Sequence, residues 1–158
     1  MGGGASLLVD RLIERGFTNL TVVDVSAAAL KLSQERLGPR ADGVHWLQAD
    51  ARFLKLPQPI DLWHDRAVFH FLTGPEDQAA YVGSLLAALR PGGHVVMATF
   101  ALDGPHKCSG LDVARYSPET LAVTLGAAFA LVRASERTHL TPAGLAQRFT
   151  YTLFRRIG

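Results

Sequence analysis

The chain has 158 residues, 48% of them apolar and 19% charged, with a net charge of +2. This suits one domain able to bury a core, too apolar for disorder and too weakly basic to imply a nucleic-acid partner. The one cysteine, Cys108, excludes an internal disulfide framework and fits a reducing, cytoplasmic setting. No apolar run reaches the ~18–20 residues of a membrane span, and the opening MGGGASLLVDRLIERG lacks the basic-then-apolar order of a secretory signal.

Ala5 to Arg15 places Leu7, Leu8, Leu12 and Ile13 on one side and Asp10, Arg11, Glu14 and Arg15 largely on the other, with Gly16 as a stop. That pattern predicts an amphipathic helix. Asn19 to Val25 is short and Val-rich, a strand ending in an acid. Ser26 then caps a helix over Ala27 to Leu37, closed by Gly38-Pro39. Val44 to Gln48 and Ile60 to His64 read as strands, and a helix is expected from about Glu76 to Leu89, ended by Arg90-Pro91-Gly92-Gly93.

His94 to Phe100 is apolar throughout, as in a strand covered on both faces. Ala101 to Tyr116 is a long loop, Ser117-Pro118-Glu119 a helix start, and Phe129 to Thr138 and Gln147 to Arg156 two strands around a Thr-Pro-Ala-Gly turn. Strands alternating with helices imply a doubly wound, mainly parallel α/β sheet with helices on both faces. The last two strands should form an antiparallel pair.

Gly2, Gly3 and Gly4 stand directly before the first helix, where glycine lets the backbone approach a ligand and helix N–H groups are unpaired. Asp24 follows Gly4 by 20 residues and ends a strand, the spacing at which an acid can accept hydrogen bonds from an adenosine ribose. Asp50 lies just after the next strand, where an acid can meet adenine or begin a turn. Against these stands the plain reading of a flexible terminus and a surface acid.

The ordered segments GGG, VVDVS, LQAD, DLWHDR and LRPGGHVVMATF resemble the motifs of class I, seven-strand, S-adenosylmethionine-dependent methyltransferases over nearly the whole chain. The resemblance implies S-adenosyl-L-methionine as cofactor. It places Gly2, Gly3 and Gly4 against its methionine part, Asp24 on the ribose, Val25 beside the adenine, and Asp50 with Ala51 and Arg52 around the adenine. His64, Asp65 and Arg66 fall where the family borders the reacting groups; Asp65 is the candidate to hold cofactor or acceptor, with His64 and His106 as candidates for proton handling. Ser6 stands where a third glycine is common, and the family's first strand would precede Gly2. The expectation is therefore a single methyltransferase domain, 1–158, shortened at its N-terminus.

The implied reaction is methyl transfer to a small-molecule or protein side-chain acceptor by a monomer or weak homodimer; the alternative is a non-catalytic, partner-binding module of the same fold. A nicotinamide oxidoreductase is disfavoured by the lack of a Tyr-x-x-x-Lys pair. No metal site is expected, since His64 and His70 are poorly spaced as ligands and no Cys or carboxylate set completes them. Met-Gly-x-x-x-Ser also matches an acylation signal, without the polybasic partner segment such anchors need. Trp63, Phe69, Phe71 and Leu72 are read as core or as the wall of an apolar pocket, and Arg133, Arg137, Arg148, Arg155 and Arg156 as solvated arginines on strands.

Overall fold

The computed structural model describes residues 1–141 and 143–158. Pro142, in the expected Thr-Pro-Ala-Gly turn, lies outside the described residues. The chain divides into two compact units, residues 1–54 and 55–158.

In the first unit, helix α1 spans Leu8–Glu14, strand β1 Leu20–Asp24, helix α2 Ala27–Leu37 and strand β2 Val44–Gln48. A 3-10 turn, Gly38–Gly43, leads into β2, and another, Ala51–Phe53, follows it. Helix α1 begins later than the apolar pattern suggests, because residues 3–6 turn first: Ser6 N–H donates to the Gly3 carbonyl and Ser6 Oγ accepts from Leu8 N–H. Gly38, at φ 57°, ends α2 in a backbone region that favours glycine.

Strands β1 and β2 pair in parallel, from Leu20 opposite Val44 to Asp24 opposite Gln48, with α2 as the crossover. Gly3 N–H donates to the Val23 carbonyl, so the glycine segment itself hydrogen-bonds to β1. Val9, Val22, Leu30, Leu37 and Val44 form the core, with Ile13, Leu20, Ala41 and Trp46 packed against it.

The second unit contains β3 (Ile60–Arg66), α3 (Pro75–Ala88), β4 (Leu89–Phe100), the two-residue strands β5 (Lys107–Cys108) and β6 (Leu111–Asp112), α4 (Pro118–Leu125), β7 (Phe129–Leu140) and β8 (Ala146–Arg156). Its main sheet has the order β3-β4-β8-β7, with β3–β4 parallel and the other two pairings antiparallel. The expected α/β class and the antiparallel C-terminal pair are therefore present. The described strands are divided among separate ladders, because β1–β2, β3-β4-β8-β7 and β5–β6 each hydrogen-bond within themselves.

Strand β4 starts at Leu89 rather than His94. Ile60 opposes Leu89 and Leu62 opposes His94, so Arg90 to Gly93 bulge out of the ladder. Pro91 has no N–H to give, Gly92 sits at φ 78°, and a Cβ on Gly93 would lie 2.8 Å from Leu89. The long loop folds partly into the β5–β6 hairpin, and α4 begins with the expected Ser117 cap in a reciprocal capping box with Thr120. Trp63 and Phe69 are core residues, at 1% and 0% exposure, and do not line an open pocket. Of the strand arginines, Arg148 pairs with Asp103 and Glu136, and Arg156 donates to the Leu86 and Leu89 carbonyls at the end of α3.

Candidate functional site

Asp24 occupies the C-terminal end of β1, the end of a parallel strand at which α/β proteins hold ligands. Its carboxylate is oriented by two backbone donors: Gly4 N–H reaches Oδ2 at 2.9 Å and Ser26 N–H reaches Oδ1 at 2.8 Å. Each oxygen has two lone-pair positions, so each keeps one open. Glycine is required at position 4, since a Cβ there would lie 2.5 Å from the Ala29 Cβ and 2.7 Å from Asp24 Oδ2. Val25, next along, is 66% exposed and offers apolar surface beside the carboxylate.

The glycine turn is tied to α2 by residues that the sequence motifs do not include. Ser33 Oγ donates to the Gly4 carbonyl and accepts from Arg36 Nη2 at 3.0 Å. Arg36 also donates to the Ser6 carbonyl at 2.9 Å and grips Asp10 with two contacts, at 2.8 and 3.2 Å. The hydrogen bond from Arg36 lowers the Asp10 carboxyl below its ordinary range. One sequence signal for this set exists: Ser33 lies between Leu30 and Leu37 on the buried stripe of α2, where an apolar residue is the norm.

Asp50 follows β2 and caps the Ala51–Phe53 turn. One residue brings three N–H groups to it. Arg52 donates its backbone N–H to Oδ1 at 2.9 Å, Nε to both oxygens at 3.1 and 3.0 Å, and Nη2 to Oδ2 at 2.6 Å. The guanidinium holds the Asp50 carboxyl below its usual value. Arg52, expected beside the cofactor, is thus on Asp50, and Ala51 is buried.

In residues 55–158, Asp65, expected to hold cofactor or acceptor, is enclosed by the protein. It is fully buried, with Oδ1 accepting from Val68 N–H at 3.0 Å and Phe69 N–H at 3.3 Å, and Oδ2 accepting from the Tyr81 hydroxyl. The Tyr81 oxygen in turn accepts from Trp63 Nε1 at 2.8 Å. Burial raises the Asp65 carboxyl, against the hydrogen bonds that lower it, and drives the Tyr81 hydroxyl well above its ordinary value. A carboxylate so enclosed organises the turn after β3.

His64 lies on β3 opposite Val96, and burial lowers its imidazole to about 4. His106 is exposed, and its carbonyl accepts from Val113 N–H, so its backbone closes the hairpin loop. His70 stands in the sequence as a poorly spaced metal ligand beside His64. It is fully buried between Phe71 and Phe100, each ring centroid 4.7 Å away, and neither imidazole nitrogen has a hydrogen-bond partner among the described residues. Burial lowers it also to about 4. Among the described residues no group of three or more His, Cys, Asp or Glu could hold a metal ion, and no helix is long and apolar enough to cross a membrane.

A glycine turn hydrogen-bonded to the acid that ends a parallel strand, with a crossover helix behind it, defines half of a nucleotide-binding α/β fold. The comparisons make this specific. A family described as a methyltransferase domain matches residues 1–95, and the chain belongs to that family, the class I S-adenosylmethionine-dependent methyltransferases.

Among solved structures, the N-methyltransferase NodS of Bradyrhizobium japonicum is 19% identical with a TM-score of 0.78, over 99% of this chain and 83% of that one. The 1,6-didemethyltoxoflavin-N1-methyltransferase of Burkholderia thailandensis, solved with 1,6-didemethyltoxoflavin and S-adenosylhomocysteine bound, is 21% identical with a TM-score of 0.76, over 99% of this chain and 69% of that one. An S-adenosylmethionine-dependent methyltransferase of Mesorhizobium loti is 22% identical with a TM-score of 0.74, over 98% and 88%. At these identities the likeness establishes the fold. Comparison with curated proteins gives no match.

S-adenosyl-L-methionine is the cofactor of the family. The donor set of residues 1–54 fits it. Asp24 retains one acceptor position on each oxygen for the two ribose hydroxyls, and exposed Val25 supplies apolar surface next to them.

Proposed function

We propose that the chain is a cytoplasmic S-adenosylmethionine-dependent methyltransferase that methylates a small molecule, its two units serving together as one methyltransferase domain, as a monomer or weak homodimer. The observation that carries this is Asp24, oriented by Gly4 and Ser26 at the end of β1 with acceptor capacity to spare. The relatives support a small-molecule acceptor over a protein side chain, since the Burkholderia thailandensis enzyme was solved with the small molecule it is named for.

When bound, the cofactor supplies a methyl group already activated on a sulfonium, so the protein contributes alignment and exclusion of water. Asp24 holds the ribose hydroxyls. Gly2, Gly3 and Gly4 leave the backbone bare for the methionine part, and Ser33 with Arg36 holds that turn in place. Val25 borders the adenine, with Asp50, Ala51 and Arg52 on the adjoining turn. His64 and His106 remain the proton-handling residues. His64, lowered to about 4, is neutral at physiological pH but a weak base. That suits an acceptor that arrives as a neutral nitrogen and needs its proton removed only after transfer.

Calorimetric titration with S-adenosylhomocysteine tests the reading. Saturable one-to-one binding, weakened by Asp24→Asn, is expected. Absence of binding by a folded protein would overturn it in favour of a partner-binding module of the same fold.

A further inference from the structure

Cross-strand partners in the β3-β4-β8-β7 sheet share a face, so its charge can be followed row by row. One row runs Arg66, Ala98, Tyr151 and Ser135; the next on the same face runs Phe100, Phe149 and Arg137. The acids of these strands, Asp61, Asp65 and Glu136, alternate onto the opposite face. There Arg148 is paired with Asp103 and Glu136. Arg66 and Arg137 are exposed, and neither has an acid partner among the described residues.

Arg66 nevertheless has a fixed place. Its guanidinium carbon lies 5.1 Å from the centroid of the Phe149 ring, reached across β4 past the small Ala98 opposite it. Arg137 stands directly opposite Phe149 in the ladder, and the His139 ring is centred 6.4 Å from that of Phe149. Half-buried Phe71 and Tyr151 pack against the apolar cluster to which Phe149 belongs. Two guanidiniums without acids thus flank one aromatic ring, beside half-buried apolar surface. A guanidinium held over a ring keeps its N–H groups for an oxyanion, which it can grip through two parallel hydrogen bonds.

We propose that Arg66 and Arg137 form a binding site for the carboxylate of a small, flat acid whose apolar body lies against Tyr151 and Phe71. On the proposed methyltransferase reading, on which this role rests, that acid is the methyl acceptor. A carboxylate supplies the negative charge that the face lacks. A neutral ligand of the same shape gains the apolar contact alone, and a cation is repelled.

The test is titration of the full chain with cinnamate, its neutral isostere cinnamamide and inorganic phosphate, followed by ligand-observed NMR. Cinnamate should bind about tenfold or more tightly than the amide, the scale of a charge-assisted pair, and the preference should shrink as salt rises. Arg66→Gln should cut the preference to about threefold or less, with Arg66→Lys between, because the charge stays and the planar fork is lost. Arg137→Gln should weaken it about threefold or more. Arg155→Gln should leave it unchanged, since Arg155 pairs with His94, about 20 Å along β4 from Phe100.

No measurable cinnamate binding, equal binding of acid and amide, or a preference that survives both glutamine variants would overturn the proposal. Phosphate bound as tightly as cinnamate would overturn it too, by making this a bare anion site. A separate titration with S-adenosylhomocysteine keeps the two readings apart. Cofactor binding without a preference for the acid overturns the carboxylate site alone. Arg66-dependent cinnamate binding by a chain indifferent to S-adenosylhomocysteine overturns the acceptor role and leaves the site standing. Thermal unfolding of each variant shows that folded protein is being compared.

Discussion

Two acids sit at or next to the ends of parallel strands, Asp24 on β1 and Asp65 on β3, and the donors around them differ. Asp24 is half-buried and held by two backbone N–H groups that leave part of each oxygen uncovered. Asp65 is wholly enclosed, meeting two N–H groups and the Tyr81 hydroxyl with Trp63 behind. A strand-end carboxylate is thus a position whose work is set by its neighbours. Where they leave lone pairs open it can take a ligand; where they close around it, it fixes the chain.

The largest expected effect is on the enclosed side. Asp65→Ala strands the Tyr81 hydroxyl and two N–H groups, that of Phe69 buried, and should cost about 3–5 kcal/mol in chemical denaturation. A loss below about 1 kcal/mol would mean that Asp65 is not structural and would reopen its role in the reaction.

Next is acid sensitivity in the same unit. His70 is expected near its ordinary 6.5 when unfolded and near 4 when folded, so between these values the unfolded chain binds more protons. Stability is then fully present above pH 6.5 and falls as the pH drops toward 4, by an amount on the order of 3 kcal/mol from His70. His64 adds a slope of the same sign. In His70→Leu, thermal unfolding across this range should show a visibly shallower pH dependence, and an unchanged slope would contradict burial of His70 as its source.

On the open side the effect should appear in binding. Asp24→Asn leaves one oxygen for the two N–H groups and loses the charge. It should lower S-adenosylhomocysteine affinity about 10- to 100-fold by titration calorimetry, at a stability cost of about 1 kcal/mol. The smallest change belongs to the clamp behind it. Arg36→Met should weaken binding about threefold to tenfold by loosening the turn at Gly4 to Ser6, and Arg36→Lys should recover part of that through its remaining contact with Asp10.

Much of this was legible in the sequence because it rests on local pattern. Val-rich β1 ending in Asp24, the Ser26 and Ser117 caps, and the stop at Gly38 follow from propensity and capping within a few residues. The spacing of Gly4 and Asp24 singled out two residues as a ligand site, and the hydrogen bond that joins them is an addition the spacing did not show. What was not legible depends on partners distant in the chain or on side-chain direction. The burial of Asp65 requires Tyr81, 16 residues on, and the Ser33–Gly4 contact spans 29. The strand start at Leu89 was hidden because Pro91 and Gly93 read as a stop, although they form a bulge in a continuing strand. Arg52 turning back onto Asp50 is a choice of rotamer that spacing does not reveal.

The central claim, that residues 1–54 hold the methyl donor on Asp24, is tested most directly by amide hydrogen exchange with and without S-adenosylhomocysteine. Slower exchange concentrated in residues 2–6 and 24–26 is expected, because the glycine turn and the Asp24–Ser26 corner are held together by the hydrogen bonds that the ribose would complete. Binding that leaves both segments unprotected, or protects only residues 55–158, would contradict it.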